Sequence, residues 1–364
     1  MSVTYVNALI FTGDRIINDH AVVTDKGMIT AILPAADIST TDVIDLQGGF
    51  MAPAFIDLQV YGGNGALFFQ HPSVKTLTAT YEGSKAGGTA HIMPTIPTTS
   101  PAKMLQAIQA VRDYWQAGGK GVMGLHLEGP FINPAKKGAH LEKYIRKPTQ
   151  EDINWILDKG REVVKIITLA PECCDPALVK QLQDAGITIF AGHSNATYEE
   201  ASAAFEAGIH HVTHLFNAMS PLESRAPGLV GAVYNHPRIF ASIVADGVHV
   251  DFAAISISQR IMEGRLFLIS DAAAESQEGD YIYIQEKNRY VNAAGVLSGS
   301  RLTMLKAVHN CAEKAGIPLH TALKMASLYP ARALRLDGRL GRIEIGYEAA
   351  FIVLRDHWDV AVYC

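Results

Sequence analysis

Between residues 53 and 337 the sequence alternates, eight times over, a short apolar β-type run with a helix-like stretch. The runs cover 55–60, 89–95, 122–128, 163–169, 187–193, 211–216, 239–244 and 266–271. Their hydrophobicity is continuous rather than alternating, as in strands covered on both faces. Amphipathic segments at 101–116, 176–185, 198–207 and 252–262 lie between them. Eight strand–helix units predict an α/β fold closed into a TIM-like (β/α)8 barrel, in preference to an open doubly wound sheet. No glycine-rich phosphate loop of either common nucleotide-binding type follows the first run, which weakens nucleotide-binding alternatives.

The two ends use a different vocabulary. Residues 1–52 hold short β runs broken by Thr-Gly-Asp, Asp-Lys-Gly and Pro34, and residues 338–364 return to the same pattern around Gly341, Gly346 and Ala350-Phe-Ile-Val-Leu. Such runs are typical of hairpins. The expectation is a small β-sandwich domain built from 1–52 and 338–364, with the barrel, 53–337, inserted between its halves.

Composition narrows the class. With 48% hydrophobic and 18% charged residues, the 364-residue chain reads as a globular enzyme with a large core. Lys plus Arg number 31 against 36 Asp plus Glu, a net charge of −5, so nothing points to nucleic acid or an anionic membrane as partner. Cys173, Cys174, Cys311 and Cys364 form neither a disulfide framework nor a CxxC metal signature, and read as reduced thiols. No signal peptide and no apolar run of about 20 residues is present, so a soluble, cytoplasmic protein is expected.

In barrels of this kind chemistry gathers at the C-terminal ends of the strands. Those ends read Gln59, Thr95, Glu128, Glu172, His193, His214, the stretch 246–249 and Asp271, polar positions closing apolar runs. A lone glutamate before Gly-Pro reads as a loop-start acid, and a lone histidine as a satisfied core residue. Glu128, His193 and His214 at three different strand mouths instead suggest one divalent metal ion, with a position left open for water. Asp271 beside such an ion suits a general base that later acts as acid, against the simpler reading of a helix N-cap. His249 and His140 read equally as substrate contacts or as structural residues. Arg225, in a Pro- and Gly-rich loop, reads as an anion clamp or a solvated charge. Lys136, Lys137, Lys143, Arg146 and Lys147 read mainly as a solvated face, and His210 and His211 as core or back-face residues.

Gly124-Leu-His-Leu-Glu-Gly-Pro-Phe, Ala191-Gly-His-Ser-Asn-Ala-Thr, Thr213-His-Leu-Phe-Asn-Ala-Met and Ala245-Asp-Gly-Val-His-Val together resemble the N-acetylglucosamine-6-phosphate deacetylases, a branch of the amidohydrolases. Pro53-Ala-Phe-Ile-Asp-Leu-Gln, Leu297-Ser-Gly-Ser and Ala326-Ser-Leu-Tyr-Pro-Ala-Arg-Ala extend the resemblance over nearly the whole chain in order. The resemblance implies a single metal, zinc or iron, on Glu128, His193 and His214, because Gln59 stands where many amidohydrolases place a histidine of a second metal site. It implies Asp271 as base and acid, and substrate contacts at Ala139, His140, Asn217, Ala218, Arg225, His249, Leu297, Ser298 and Gly299, with Arg225 facing a 6-phosphate. It also implies a sugar-phosphate substrate and a homodimer.

Three departures from the family pattern stand out: Ala54 in place of the usual glycine, Tyr61 where asparagine is frequent, and Ala-Ala-Ala-Glu-Ser after Asp271. The activity implied is hydrolysis of the acetamide of N-acetylglucosamine 6-phosphate to glucosamine 6-phosphate and acetate. The alternatives are a deacetylase for another sugar phosphate such as the galactosamine epimer, an N-acyl amino acid hydrolase, and a non-catalytic sugar-phosphate-binding barrel.

Overall fold

A computed structural model describes residues 2–40, 42–355 and 358–364. Its central sheet contains eight parallel strands in consecutive order: Phe55–Val60, Thr89–Ile96, Leu125–Glu128, Val164–Leu169, Thr188–Ala191, His211–Val212, Phe240–Val244 and Leu266–Ile269. The ring closes just past the eighth strand. There Asp271 N donates to Gln59 O at 3.0 Å, and Tyr61 N donates to Ala272 O at 2.8 Å. Every residue of Phe55–Val60 is buried, the polar Asp57 and Gln59 included, so this strand is covered on both faces.

A helix follows each strand, from Val74–Ala86 after the first to Met304–Glu313 after the eighth. The starts are set locally. Ser73, Ser100, Thr149, Asp175, Thr197, Asp251 and Thr303 each accept a backbone N–H in the first turn of the helix they precede. Such caps satisfy donors that the helix itself cannot. Pro101 and Pro176 occupy first-turn positions where a missing N–H costs nothing. No helix among the described residues is long and apolar enough to cross a membrane.

Three strands fall short of the predicted apolar runs by three residues or more. The third begins at Leu125, although Val122 still bridges to Ile92; the fifth stops at Ala191; the sixth is only His211–Val212. The fifth and sixth stop short because the functional ends leave extended geometry. His193, His214 and Asp271 have φ of 48°, 32° and 53°, left-handed values that non-glycine residues adopt only when their surroundings enforce them.

Both termini join one seven-stranded sheet, ordered Val360–Tyr363, Phe351–Leu354, Val43–Pro53, Val3–Phe11, His20–Asp25 and Met28–Pro34, with Ile16–Ile17 paired to Val3–Phe11. The expected sandwich is thus a single hydrogen-bonded sheet. Its strands use their period of two to face two cores. Ile10, Met51, Phe351 and Val353 pack in the sheet's own core, while their neighbours Phe11, Ala52, Ile352 and Leu354 pack into the barrel's core. A three-stranded antiparallel flap, Ile284–Glu286, Arg289–Val291 and Leu297–Ser300, lies between the eighth strand and its helix.

Candidate metal centre

Glu128 ends the third strand, and the chain turns at once through Gly129, whose φ is +87°. A Cβ there would stand 2.2 Å from Thr98 Oγ1, so the turn needs glycine. The Glu128 carboxylate is buried and faces three histidines. Its Oε1 lies 2.9 Å from His214 Nε2 and 3.3 Å from His193 Nε2; its Oε2 lies 3.2 Å from His140 Nε2. The nitrogens of His193 and His214 are themselves 3.1 Å apart.

Hydrogen bonds on the far side of the His193 and His140 rings fix their tautomers. His193 Nδ1 lies 2.9 Å from Lys136 O, an acceptor only, so Nδ1 carries the proton and Nε2 is bare. His140 is reversed: Thr98 N donates to its Nδ1 at 3.2 Å, which leaves the proton on Nε2, facing Glu128. His214 Nδ1 is buried without a partner among the described residues. Geometry alone groups Glu128, His140 and His193 within 4.8 Å as a further possible metal set. A protonated Nε2 cannot ligate, however, so Glu128, His193 and His214 form the better donor set.

That set fits a metal ion. A tetrahedral ion about 2.0–2.2 Å from N and O ligands separates them by roughly 3.3–3.6 Å along each edge. The three observed edges, 2.9, 3.1 and 3.3 Å, are close to this. A bare imidazole nitrogen held against a carboxylate oxygen is repulsive unless a proton or cation lies between them. Burial favours a neutral Glu128, but opposing effects, led by the hydrogen bond from His140, outweigh it and hold the carboxyl well below its usual range. Burial pushes His214 down and keeps its ring neutral, as a ligand must be.

Asp271 stands across from this group. Its Oδ1 accepts a hydrogen bond from Gln59 Nε2 at 2.8 Å, and the same nitrogen donates to Glu128 Oε1 at 3.0 Å. Gln59 thus spans the two carboxylates with its two N–H groups. Burial, then the charges of Glu128, Asp57 and Asp246, raise the Asp271 carboxyl well above the ordinary range.

A cavity of about 200 Å³ opens over these groups. It is lined by Asp271, Glu128, His193 and His214, and also by Ala139, His140, Asn217, Ala218, His249 and the 297–299 segment. Nearly every residue singled out in the sequence converges here. Asn217 Nδ2 is buried without a partner among the described residues, a donor left for a ligand. His249 Nδ1 is 2.6 Å from Asp246 Oδ2, and Asp246 also accepts the N–H groups of Val248 and His249. Arg225 is the exception: it lies in the exposed segment 221–226 and does not line the cavity. Glu172 braces the loop after His193, accepting from Ser194 Oγ and Asn195 N, both at 2.7 Å. His211 turns away and bonds Ala333 O at 2.7 Å. A larger cavity, about 710 Å³, opens at the opposite end of the barrel around His91, Lys120 and Glu348, away from all the strand-end groups.

Sequence reasoning missed Thr98, Tyr281 and Tyr283. Thr98 bonds His140 Nδ1 through Oγ1 at 2.8 Å, and Tyr281 donates to Thr98 O at 2.7 Å. The signal was present in Tyr281-Ile-Tyr283, where a spacing of two puts both rings on one side.

A parallel eight-stranded barrel with a buried Glu/His/His donor group, and an aspartate at its eighth strand end, defines a metal-dependent hydrolase architecture. Residues 50–361 match the amidohydrolase family and residues 4–51 the NagA composite domain, and the chain belongs to the amidohydrolase family. It is 35% identical to the N-acetylglucosamine-6-phosphate deacetylase of Haemophilus influenzae, over 99% of this chain and 97% of that protein. It is 32% identical to the N-acetylgalactosamine-6-phosphate deacetylase of Escherichia coli O157:H7, over 95% and 93%. The crystal structure of N-acetylglucosamine-6-phosphate deacetylase from Pasteurella multocida superposes with a TM-score of 0.95 at 35% identity, covering 99% of this chain and 97% of that one.

Proposed function

We propose that this enzyme hydrolyses the acetamide of N-acetylglucosamine 6-phosphate, releasing acetate and glucosamine 6-phosphate. The observation that carries the reading is the meeting of Glu128, His193 and His214 with Asp271 in one buried cavity. Near end-to-end similarity to a deacetylase of this substrate supports it.

In this reading Glu128, His193 and His214 hold one divalent cation, zinc or iron. When bound, such an ion acidifies water and polarises a carbonyl. Asp271 takes a proton from the attacking water and gives it to the leaving nitrogen, the task its raised proton affinity suits. Gln59 fixes the Asp271 carboxyl in place through Oδ1. His140, with its proton on Nε2, donates to the acyl oxygen. Asn217 and His249 bind sugar hydroxyls, while Ala139, Ala218 and residues 297–299 shape the walls. Arg225, outside the cavity, meets the 6-phosphate where the sugar projects outward. The reading includes a homodimer and a cytoplasmic location.

Acetate release is the test, comparing N-acetylglucosamine 6-phosphate, its galactosamine epimer and the unphosphorylated sugar. Preference for the first supports the proposal. Preference for the epimer reassigns the sugar, and no release from any of them by metal-loaded protein overturns the deacetylase reading.

A further inference from the structure

Tyr61 stands one residue beyond the first barrel strand and lines the cavity with a side chain that is 5% exposed. Its hydroxyl lies 3.4 Å from Gln59 Nε2. That amide has only two N–H groups, and both have nearer carboxyl acceptors: Asp271 Oδ1 at 2.8 Å and Glu128 Oε1 at 3.0 Å. Gln59 therefore has no proton to spare for the phenol. Among the described residues no acceptor takes the phenol's own proton.

The position is rigid. Tyr61 N donates to Ala272 O at 2.8 Å, Tyr61 O accepts from Phe68 N at 2.9 Å, and the ring packs edge-on against Phe69 with centroids 5.9 Å apart. Tyr281, on the same wall, differs. Its hydroxyl donates to Thr98 O and accepts from Leu141 N, so it is fully used. A buried hydroxyl whose own proton meets no acceptor among the described residues, on a backbone held at both N–H and C=O, is a site for a ligand's acceptor.

We infer that Tyr61 is a further catalytic residue, donating a hydrogen bond from its hydroxyl to the acyl oxygen of the substrate as negative charge collects there. The inference rests on the deacetylase reading. One Gln59 amide separates the phenol from both the Asp271 carboxyl and Glu128, so it borders the point where water attacks the acyl carbon. The oxygen is one bond from that carbon and is the acyl group's only good acceptor, since the amide nitrogen's lone pair is delocalised. Tyr61 and His140 Nε2–H then make two donors for one developing charge, the arrangement that stabilises tetrahedral intermediates. No bond to the tyrosine forms or breaks, and its proton stays on oxygen.

The test is Tyr61→Phe, which removes one oxygen atom and keeps the ring. Steady-state acetate release and thermal unfolding are measured on variant and wild type with equal metal content. A transition-state donor predicts kcat lower by roughly a hundred- to a thousandfold with KM little changed. The unfolding temperature stays nearly level, because the lost hydroxyl donated to no protein acceptor and met only the long 3.4 Å approach of Gln59 Nε2. A variant as fast as wild type overturns the inference. So does a defect confined to KM, which would make the contact a ground-state one, and so does a fall in unfolding temperature, which would make it structural. An inactive wild type overturns the deacetylase reading and this inference with it, whereas an active wild type and an unaffected variant overturn only the role of Tyr61.

Discussion

The carboxylate of Asp57, in the first barrel strand, accepts both the backbone N–H and the hydroxyl of Ser270, the residue after the eighth strand, at 3.1 and 2.5 Å. This pair fastens the two strands that close the ring, 213 residues apart in sequence. It also fixes the residue next to Asp271. Ser300 N then donates to Asp271 O at 2.8 Å, and Ser300 Oγ to Ser270 O at 2.5 Å, tying the flap to the same point. The left-handed backbone of Asp271, at φ 53°, is held by bonds on both sides, as a strained functional residue requires.

Asp57 makes stability depend on pH in a defined direction. Burial pushes its carboxyl up to about 6 from 3.8, against the pull of hydrogen bonds from Ser270 and Gln59. A raised folded-state value contributes stability that is complete below pH 3.8 and is lost as pH rises through about 6. Asp57→Asn abolishes that titration. The stability of wild type relative to the variant is therefore expected to fall by about 2 kcal/mol between pH 4 and 6.5 and then level off. Denaturant unfolding of both proteins at several pH values checks this. A difference that does not vary with pH means that Asp57 ionises in the fold as freely as in the unfolded chain.

Asp271→Asn tests the proton-transfer role without emptying the metal site. The amide keeps the side chain's shape but can neither take nor deliver a proton. An acetate-release kcat lower by roughly 10²–10⁴-fold is expected, with metal content unchanged by elemental analysis. Parallel loss of metal and activity would instead assign Asp271 to holding the ion.

The barrel, and the gathering of Glu128, His193 and His214 at its mouth, were legible because each rests on local chemistry. Runs buried on both faces announced the strands, and Glu128, His193 and His214 announced themselves by closing such runs. Tautomers and closure bonds were not legible. Nothing near His140 in sequence shows that Thr98, 42 residues earlier, fixes its proton on Nε2. Nothing near Asp57 names Ser270 as its partner. The fifth and sixth strands stop before His193 and His214 because these side chains turn into the mouth on left-handed backbone, a tertiary demand that apolar content does not record. Arg225 shows the converse: basic chemistry in a suggestive loop does not by itself bring a side chain into the cavity.

His211 opposes acid. Burial presses its pKa down to about 4 from 6.5, although the bond to Ala333 O pulls the other way. A depressed folded-state value contributes stability that is present above pH 6.5 and is lost as pH falls toward 4. His211→Asn is expected to be destabilised at pH 7 but to lose less on acidification, the gap narrowing by about 3 kcal/mol between pH 7 and 4. Unfolding free energies at the two pH values read it directly, and a gap of constant width would mean the ring is not held neutral in the fold.

Removal of the metal is expected to show in stability as well as in turnover. An ion that binds the folded Glu128–His193–His214 group stabilises that state by mass action, about 2.7 kcal/mol at a free concentration a hundred times its dissociation constant. Chelation should therefore lower the unfolding temperature and abolish acetate release, and added zinc or iron should restore both. His193→Ala removes one bare nitrogen from the donor set, so its unfolding temperature should respond far less to added metal. His140→Ala, which removes a ring whose Nε2 already carries a proton, should keep the wild-type response to metal while losing turnover. Should the two variants respond to metal in the reverse order, the cation is held by Glu128 with His140, and the tautomers deduced from Thr98 and Lys136 are exchanged.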